Sequence, residues 1–295
     1  MLRGVADPRR RNLLDKGGGW FVDTTCIDCD VARQLAPGLI EADERGLSYF
    51  ARPPATPEEE AMAWRALLSC PTGSIGARGR KPPADAFPFE VAPGAFLLGY
   101  NSADSFGASA YLVPRPGGNL MVDAPRWVPA LADAIERRGG VAHVLLTHRD
   151  DVADWDRYAA RFGARVWIHK DDADAAPGAS DVFRDEVEVA PGVAALPVPG
   201  HTRGSAMFLV DDRLLFTGDS LAWSRELDDL HAFRDATWHS WEVQADALEK
   251  LAARATFEWV LPGHGGRGRA PPEEMRRRLR ALVGRMRGNA VPSAW

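Results

Sequence analysis

VAHVLLTHRDDVADW, residues 141–155, is the stretch on which the fold turns. Its first part, Val141–Leu146, is short, apolar and rich in branched side chains, which predicts a buried strand. The strand then delivers Thr147-His148-Arg149-Asp150-Asp151 into a loop, and Asp154–Phe162 continues with helical spacing. A rigid sheet that holds His and Asp on a loop is a common foundation for a site. The arrangement returns downstream. Pro199-Gly200-His201-Thr202 follows the strand-like Val193–Val198, Thr217-Gly218-Asp219-Ser220 follows Arg213–Phe216, and Pro262-Gly263-His264-Gly265 follows Glu258–Leu261. Any one of these alone is adequately explained as a turn or cap. Four in succession, three of them beside glycine, point instead to a shared site. Imidazole and carboxylate together are the ligand set of zinc or iron.

The elements around these loops set the class. Ala95–Tyr100, Ala108–Val113 and Asn119–Val122 read as a meander of strands with Pro/Gly turns. Val128–Arg138 has helical periodicity, Arg165–Ile168 and Ala206–Val210 are strand-like, Trp241–Ala253 is a helix, and Pro272–Arg287 is a closing helix with proline near its start. Meander strands followed by alternating helices and strands predict a mixed α+β or α/β protein, two sheets with helices outside.

Taken together, THxxD, PGHT, TGDS and PGHG in this order resemble the metallo-β-lactamase superfamily, from about Phe87 to Arg287. The resemblance implies a four-layer αββα sandwich with metal at one edge. It implies His148, His201, Asp219 and His264 as metal ligands, with Asp150 as an extra ligand or base. The first motif departs from the usual His-x-His-x-Asp-His: Asp150 stands at the second His, and Val152 and Ala153 stand where Asp and His belong. Asp154 lies two positions late. A ferredoxin-fused variant reads THRDDVADH, which this chain follows until Trp155 replaces the last His. The expectation is therefore a divalent zinc or iron, one ion only, held by His148, His201 and Asp219 as two imidazoles and one carboxylate. That triad resembles the persulfide dioxygenases of the superfamily, and a carboxylate at position 150 resembles flavodiiron proteins. In a hydrolytic reading Asp150 or Asp154 is the candidate general base. Among the other histidines, His143 is expected to be structural, and His169, which follows the strand Arg165–Ile168, is a weaker candidate for the site than the four motif residues. His231 and His239 flank a stretch expected at the site mouth, with Trp223 and Trp241 nearby; core packing is the expected role for most of the tryptophans.

All three cysteines lie in an upstream segment too small for a deep apolar core of its own. Cys26-Ile27-Asp28-Cys29 and the distant Cys70-Pro71-Thr72-Gly73-Ser74-Ile75 resemble a single-cluster bacterial ferredoxin domain, from Trp20 to about Gly76. The resemblance implies Cys26, Cys29 and Cys70 as ligands of an iron–sulfur cluster. One ligand is missing, because Ala32 stands where the third cysteine of the series belongs. Three readings stand open: a cluster with three protein thiolates (Asp28 or Asp30 adding an oxygen), a module that has lost its cluster, or a zinc site.

Residues 1–19 are read as a flexible basic leader, 20–80 as the ferredoxin-like domain, 81–86 as a linker containing Pro82-Pro83, and 87–295 as the metallo-β-lactamase-like domain. Net charge is −5, with 36 Lys and Arg against 41 Asp and Glu, which argues against a nucleic-acid partner. No apolar run is long enough to cross a membrane or to serve as a secretory signal, so a cytoplasmic protein is expected. The basic final helix reads as a solvated face. The function expected is metal-dependent hydrolysis of a small-molecule ester or thioester. The alternatives are a mononuclear iron enzyme oxidising a thiol or persulfide with a redox partner, and a non-catalytic binding protein.

Overall fold

The structure is a computed structural model that describes residues 6–288, 290 and 291. Its smaller unit is built from β1 (Trp20–Val22), α1 (Val31–Leu35), β2 (Ile40–Ala42), β3 (Ser48–Phe50), α2 (Pro57–Ser69) and β4 (Ile75–Ala77). Strand β1 pairs antiparallel with β4, and β2 with β3. Thr56 starts α2 by accepting the Glu59 N–H, while the Glu59 carboxylate accepts the Ala55 N–H at 2.7 Å. That reciprocal cap, with Pro57 in the first turn, makes the helix start legible in the sequence. The core is a compact aromatic cluster in which Trp20 meets Trp64 at 4.7 Å and Phe50 at 5.9 Å. Ala32 is buried in it.

Residues 6–19 depart from the expected flexible leader. The buried Asn12 donates to the Ser48 carbonyl, and Asp15 accepts the N–H groups of Val22 (2.9 Å) and Phe50 (2.6 Å). These polar side chains supply partners to strand ends that the small unit otherwise lacks, which is why a basic, glycine-rich stretch packs. Residues 1–5 of that leader lie outside the described residues.

The larger unit is two sheets face to face. The first contains β5 (Phe89–Ala92), β6 (Ala95–Leu97), β7 (Tyr111–Val113), β8 (Leu120–Val122), β9 (His143–Leu145), β10 (Arg165–His169) and β11 (Asp181–Phe183). It begins as an antiparallel meander, β5 to β8, and continues parallel through β9, β10 and β11. Helices α3 (Pro129–Glu136) and α4 (Trp155–Phe162) provide two of the crossovers. The second sheet has the order β12 (Val187–Ala190), β13 (Val193–Pro197), β14 (Ala206–Val210), β15 (Leu214–Gly218), β18 (Trp259–Pro262), β19 (Gly268–Arg269). Between β15 and β18 lie the hairpin β16 (Ala222–Ser224) and β17 (Asp229–His231) and helix α5 (Trp241–Arg254); α6 (Pro272–Arg287) closes the chain.

Strand β14 shows the layering in one line of sequence. Ala206, Phe208 and Val210 face the core between the sheets, and Met207 and Leu209 face the core under α5 and α6. Period-two alternation of apolar residues on both faces is what a strand covered on both sides requires. Tyr111 meets Phe216 at 5.3 Å across the sheets and donates its hydroxyl to the Pro262 carbonyl at 2.6 Å. With α3 and α4 on the other outside face, this is the αββα order expected from the motifs. In the larger unit, the strands that the sequence did not announce (β5, β11, β12, β16, β17, β19) are short and lie at sheet edges or in the small hairpin, where the apolar pattern is weakest.

Candidate metal centre

Four loops at one end of the sheets bring their polar residues together. His148 follows β9, His201 follows β13, Asp219 leaves β15 and His264 leaves β18. Asp219 Oδ2 lies 3.6 Å from His148 Nε2, 3.7 Å from His201 Nε2 and 3.8 Å from His264 Nε2. These distances are too long for good hydrogen bonds but close to the edge of a coordination tetrahedron, about 3.3 Å for bonds of 2.0–2.1 Å. A bulge at Thr217 shifts the register of β15 against β18 and re-aims the chain at Asp219. Gly263 has no room for a side chain, since a Cβ there would meet Asp151 Oδ2 at 2.5 Å and Asp219 Oδ1 at 2.9 Å.

The ligand atoms fall into two overlapping sets, His148–His201–Asp219 and Asp151–Asp219–His264, sharing Asp219. Buried His148 Nε2, Asp219 Oδ1 and both carboxylate oxygens of Asp151 have no hydrogen-bond partner among the described residues. Burying polar atoms unpaired costs free energy that a bound cation would recover. The donor set thus fits a divalent metal.

Electrostatics say the same. Burial pushes the His148 imidazole down to about 4, leaving it neutral with a lone pair to donate. Burial works to raise Asp219, but His264, His148 and His201 outweigh it and hold its carboxyl below the usual range. His201 is pulled down by burial and pulled up more strongly by Asp150 and Asp219. Burial, with Asp219, Asp123 and Asp150 adding to it, pushes Asp151 well above the carboxylate range. A pocket this rich in carboxylate is short of positive charge.

The ligands are held from behind. Asp123 accepts the Thr147 N–H at 2.8 Å and the Thr147 hydroxyl, and the Thr147 oxygen lies 3.0 Å from His148 Nδ1. Burial, opposed by those hydrogen bonds, pushes Asp123 up to about 8. His201 Nδ1 is hydrogen-bonded to the Ala236 carbonyl, which turns Nε2 toward Asp219. Asp172 accepts from the Thr202 hydroxyl at 2.5 Å and from the N–H groups of Arg149 and Gly204, locking the loop that bears His201. Such outer partners fix ring orientation and ligand basicity.

The sequence-expected residues therefore divide. His148, Asp150, His201, Asp219 and His264 come together; Asp150 is the half-exposed member, 3.5 Å from His201 Nε2 and 3.9 Å from His148 Nε2. Asp154 does not join them. Its carboxylate accepts the Trp127 N–H at 2.6 Å at the start of α4, and it does not line the cavity. Asp151 takes the inward position instead. The loop passes through Ala153 at φ 38°, so motif counting, which assumes regular spacing, picks the wrong side chain. Val152 and Trp155, at positions where the motif has ligands, pack against the core. His169 turns away, with Nε2 on the Arg184 carbonyl and Nδ1 accepting the Asp171 N–H. His143 accepts from Trp167 Nε1 at 3.1 Å, a structural role. His231 and His239 line the cavity, as does Trp238, while Trp223 and Trp241 belong to the core. Asp123 and Asp172 were missed; an Asp directly after the apolar Leu120–Val122 was the available signal for the first.

The cavity over this cluster has a volume of about 980 Å³. One of its walls is also a wall of the cysteine centre. Gly107, at φ +92°, lies so close that a Cβ would meet Cys29 Sγ at 3.2 Å and Pro71 at 3.1 Å. Two residues earlier, the Ser105 carbonyl is hydrogen-bonded to His264 Nε2 at 3.2 Å. Cys26 Sγ accepts the Ser48 N–H at 3.4 Å and Cys70 Sγ the Ser74 N–H at 3.2 Å. Burial pushes the Cys29 thiol up to about 12, with Cys70 and Cys26 adding to the effect. Cys26 and Cys70 are near enough to act on Cys29 electrostatically, but the three sulfurs are not among the groups of the described residues close enough to share one ion. Ala32 offers no fourth ligand for a cluster. Asp28 and Asp30 are committed elsewhere, each pairing with Arg33 at 2.7 Å.

A family model described as the 4Fe-4S single cluster domain of Ferredoxin I matches residues 22–77. A hydroxyacylglutathione hydrolase of Acidiphilium cryptum is 36% identical over 167 residues, 52% of this chain and 63% of that one. The chain spans less than two thirds of that relative, and 44% and 42% of two further hydroxyacylglutathione hydrolases, from Fuscovulum blasticum and Rhodobacter capsulatus. Among solved structures, VMB-1 superposes with a TM-score of 0.52 at 17% identity, covering 69% of this chain and 97% of that one. The metallo-β-lactamase family protein TTHA1429 of Thermus thermophilus gives 0.48 at 20% identity, covering 68% and 81%. The larger unit has the metallo-β-lactamase fold, with a small ferredoxin-like unit before it. Among the described residues no helix is long and apolar enough to cross a membrane.

Proposed function

We propose that the chain is a metal-dependent hydrolase of a small ester or thioester. The observation that carries this is the approach of His148, His201 and His264 to one carboxylate oxygen of Asp219, in a pocket where His148 Nε2, Asp219 Oδ1 and both Asp151 oxygens have no hydrogen-bond partner among the described residues. His148, His201 and Asp219, with Asp150 beside them, would hold one ion, and Asp151, Asp219 and His264 a second. A divalent ion bound there supplies a lowered water pKa and polarisation of the scissile carbonyl. Thr147 and Asp123 keep the His148 ring in place, and the Ala236 carbonyl does the same for His201. Asp150, held ionised first by its neighbour His201, faces the cavity and is the group placed to take a proton from an attacking water. The hydroxyacylglutathione hydrolases among the relatives support a thioester as the scissile group.

The test is zinc-dependent turnover of a hydroxyacylglutathione thioester and a small aryl ester by the full chain, beside its Asp219→Asn and His148→Ala variants. Expected is turnover that follows zinc content and falls at least about 100-fold in either variant. No turnover of either substrate at full zinc occupancy would overturn the proposal.

The second reading, thiol oxidation at an iron, has one observation in its favour: the Gly107 loop touches both the cysteine centre and the metal pocket. Three residues span at most about 11 Å, so the two centres are near neighbours. Oxygen uptake with a persulfide substrate by iron-loaded protein separates this reading from the first.

A further inference from the structure

We infer that the site grips its substrate with an aromatic clamp, Phe106 on one side and Trp238 on the other, which selects an apolar, preferably aromatic, arm next to the scissile bond; the inference rests on the hydrolase reading of the same cavity. Three aromatic residues are prominently exposed among the described residues: Phe89, Phe106 and Trp238. Phe89 lies under the Arg65 guanidinium, at 3.8 Å, on another part of the surface. The other two both line this cavity, Trp238 at 67% exposure and Phe106 at 43%. Water-exposed aromatic area is unfavourable, and its gathering around one polar cluster marks a surface that is covered in use.

The two rings flank the place where chemistry would occur. Trp238 is 6.1 Å from the His201 ring and Phe106 is 6.2 Å from the His264 ring. Both histidines face Asp219. Neither ring is exposed because its backbone is loose. Trp238 N–H donates to the His201 carbonyl at 2.9 Å, and the Thr237 hydroxyl donates to the Phe233 carbonyl at 2.8 Å. On the other side Gly107 N–H donates to the Ser102 carbonyl at 2.8 Å, and Gly107 itself is pressed against Cys29 and Pro71. The cysteine-bearing unit thus backs one jaw of the clamp. Pre-set walls of this kind bind without an ordering cost.

Charge at the mouth does not select in the same way. Arg149 is paired with Asp174 at 2.8 Å, and Arg203 shares the rim with Asp171 and Asp235. Both signs are present, so discrimination falls to the rings.

The experiment uses the zinc-loaded full chain and two thioesters of N-acetylcysteamine, phenylacetyl and acetyl. Expected is a preference for phenylacetyl of about tenfold or more in kcat/KM, with the ratio cut about fivefold or more, mainly through KM, in both Trp238→Ala and Phe106→Ala. In parallel, binding of the non-hydrolysable S-phenethyl-N-acetylcysteamine thioether is measured by calorimetry, where Trp238→Ala is expected to weaken affinity about tenfold and Trp238→Phe to keep most of it. Turnover of both thioesters with the same ratio in wild type and variants overturns the clamp and leaves the hydrolase standing. Turnover of neither thioester, nor of the hydroxyacylglutathione thioester and aryl ester above, with thioether binding that depends on Trp238, overturns the hydrolase and leaves the clamp standing. Thioether binding that ignores Trp238 overturns the clamp whatever the turnover.

Discussion

Gly200, immediately before His201, is the position where the reasoning from packing to metal binding is easiest to break. A Cβ at Gly200 would lie 2.1 Å from the Cβ and 2.6 Å from the Cα of Gln244. Those atoms belong to α5, and Gln244 is fully buried with its amide donating to the Ser220 carbonyl at 2.8 Å. The neighbour cannot rotate aside; the loop or the helix must move. The Gly200 carbonyl accepts from the N–H groups of His239 (3.2 Å) and Ser240 (3.0 Å), so moving the loop weakens those bonds as well. Gly163, the C-cap of α4, is the control. It sits at φ +65° with nothing within 4 Å of an added Cβ, so Gly163→Ala carries only the left-handed backbone cost, about 1–2 kcal/mol. Gly200→Ala has its own backbone cost, at φ +152°, and adds overlap in a packed layer, so it is expected to cost about 3–5 kcal/mol.

The assay is urea denaturation of chelator-treated protein followed by near-ultraviolet circular dichroism, with zinc affinity measured separately by chelator competition. Displacing His201 disturbs a bond whose length tolerance is a few tenths of an ångström, so zinc affinity in Gly200→Ala is expected to fall about 10–100-fold while Gly163→Ala keeps it. A Gly200→Ala destabilisation within about 0.5 kcal/mol of the control would refute the packing argument. Unchanged zinc affinity in a destabilised variant would refute the link from that contact to His201.

Tyr111→Phe removes the buried hydroxyl that donates to the Pro262 carbonyl, just before the loop of His264, and is expected to cost about 1–2 kcal/mol in the same urea assay. Gly107→Ala is expected to disturb both centres at once, lowering iron or zinc retained by the cysteines and shifting the visible spectrum of cobalt in the histidine pocket; a change in one without the other would show that the shared loop does not connect them. The Glu59 carboxyl is held down to about 2 from an ordinary 4.5 by Arg52 and then by the Ala55 N–H, so its contribution is present above about 4.5 and lost as pH falls toward 2; Glu59→Gln is expected to flatten the acid limb of thermal stability in that window. Asp151→Ala is expected to lower zinc bound per chain without abolishing it, by metal analysis after gel filtration, whereas Asp154→Ala is expected to leave the metal content as it was.

The sandwich was legible because its buried strands carry strong patterns. Ala206–Val210 needs apolar residues on both faces and Val141–Leu146 is apolar nearly throughout, so both stand out in the sequence. Edge strands such as Val187–Ala190 have one wet side and short length, and no local signal separates them from loops. The site was legible where glycine and strand ends fix geometry locally, as at His201, Asp219 and His264. It was misread where a loop bends irregularly. Counting from His148 made Asp154 the spare carboxylate, but the turn through Ala153 sends Asp151 inward and leaves Asp154 capping a backbone N–H. Residues 6–19 were misread for the opposite reason: polar side chains there serve partners far away in sequence, which periodicity cannot register.

The position of Asp151 bears on the number of ions the site would hold. A one-ion site built on His148, His201 and Asp219 accounts for Asp150 as a neighbour at the cavity, but it leaves Asp151 fully buried with both oxygens unpartnered. Ionising it in that setting would cost several kcal/mol, which is why burial and its carboxylate neighbours push Asp151 well above the carboxylate range. A chain under no demand for that carboxylate would lower its cost with any small apolar side chain. Gly263 sharpens the point, because its backbone comes within the reach of a Cβ of both Asp151 and Asp219, holding two carboxylates side by side where they repel. Two carboxyl groups packed together in a dry pocket, one of them kept from ionising by the other, beside a third histidine that the first ion does not need, are the arrangement that a second cation would relieve.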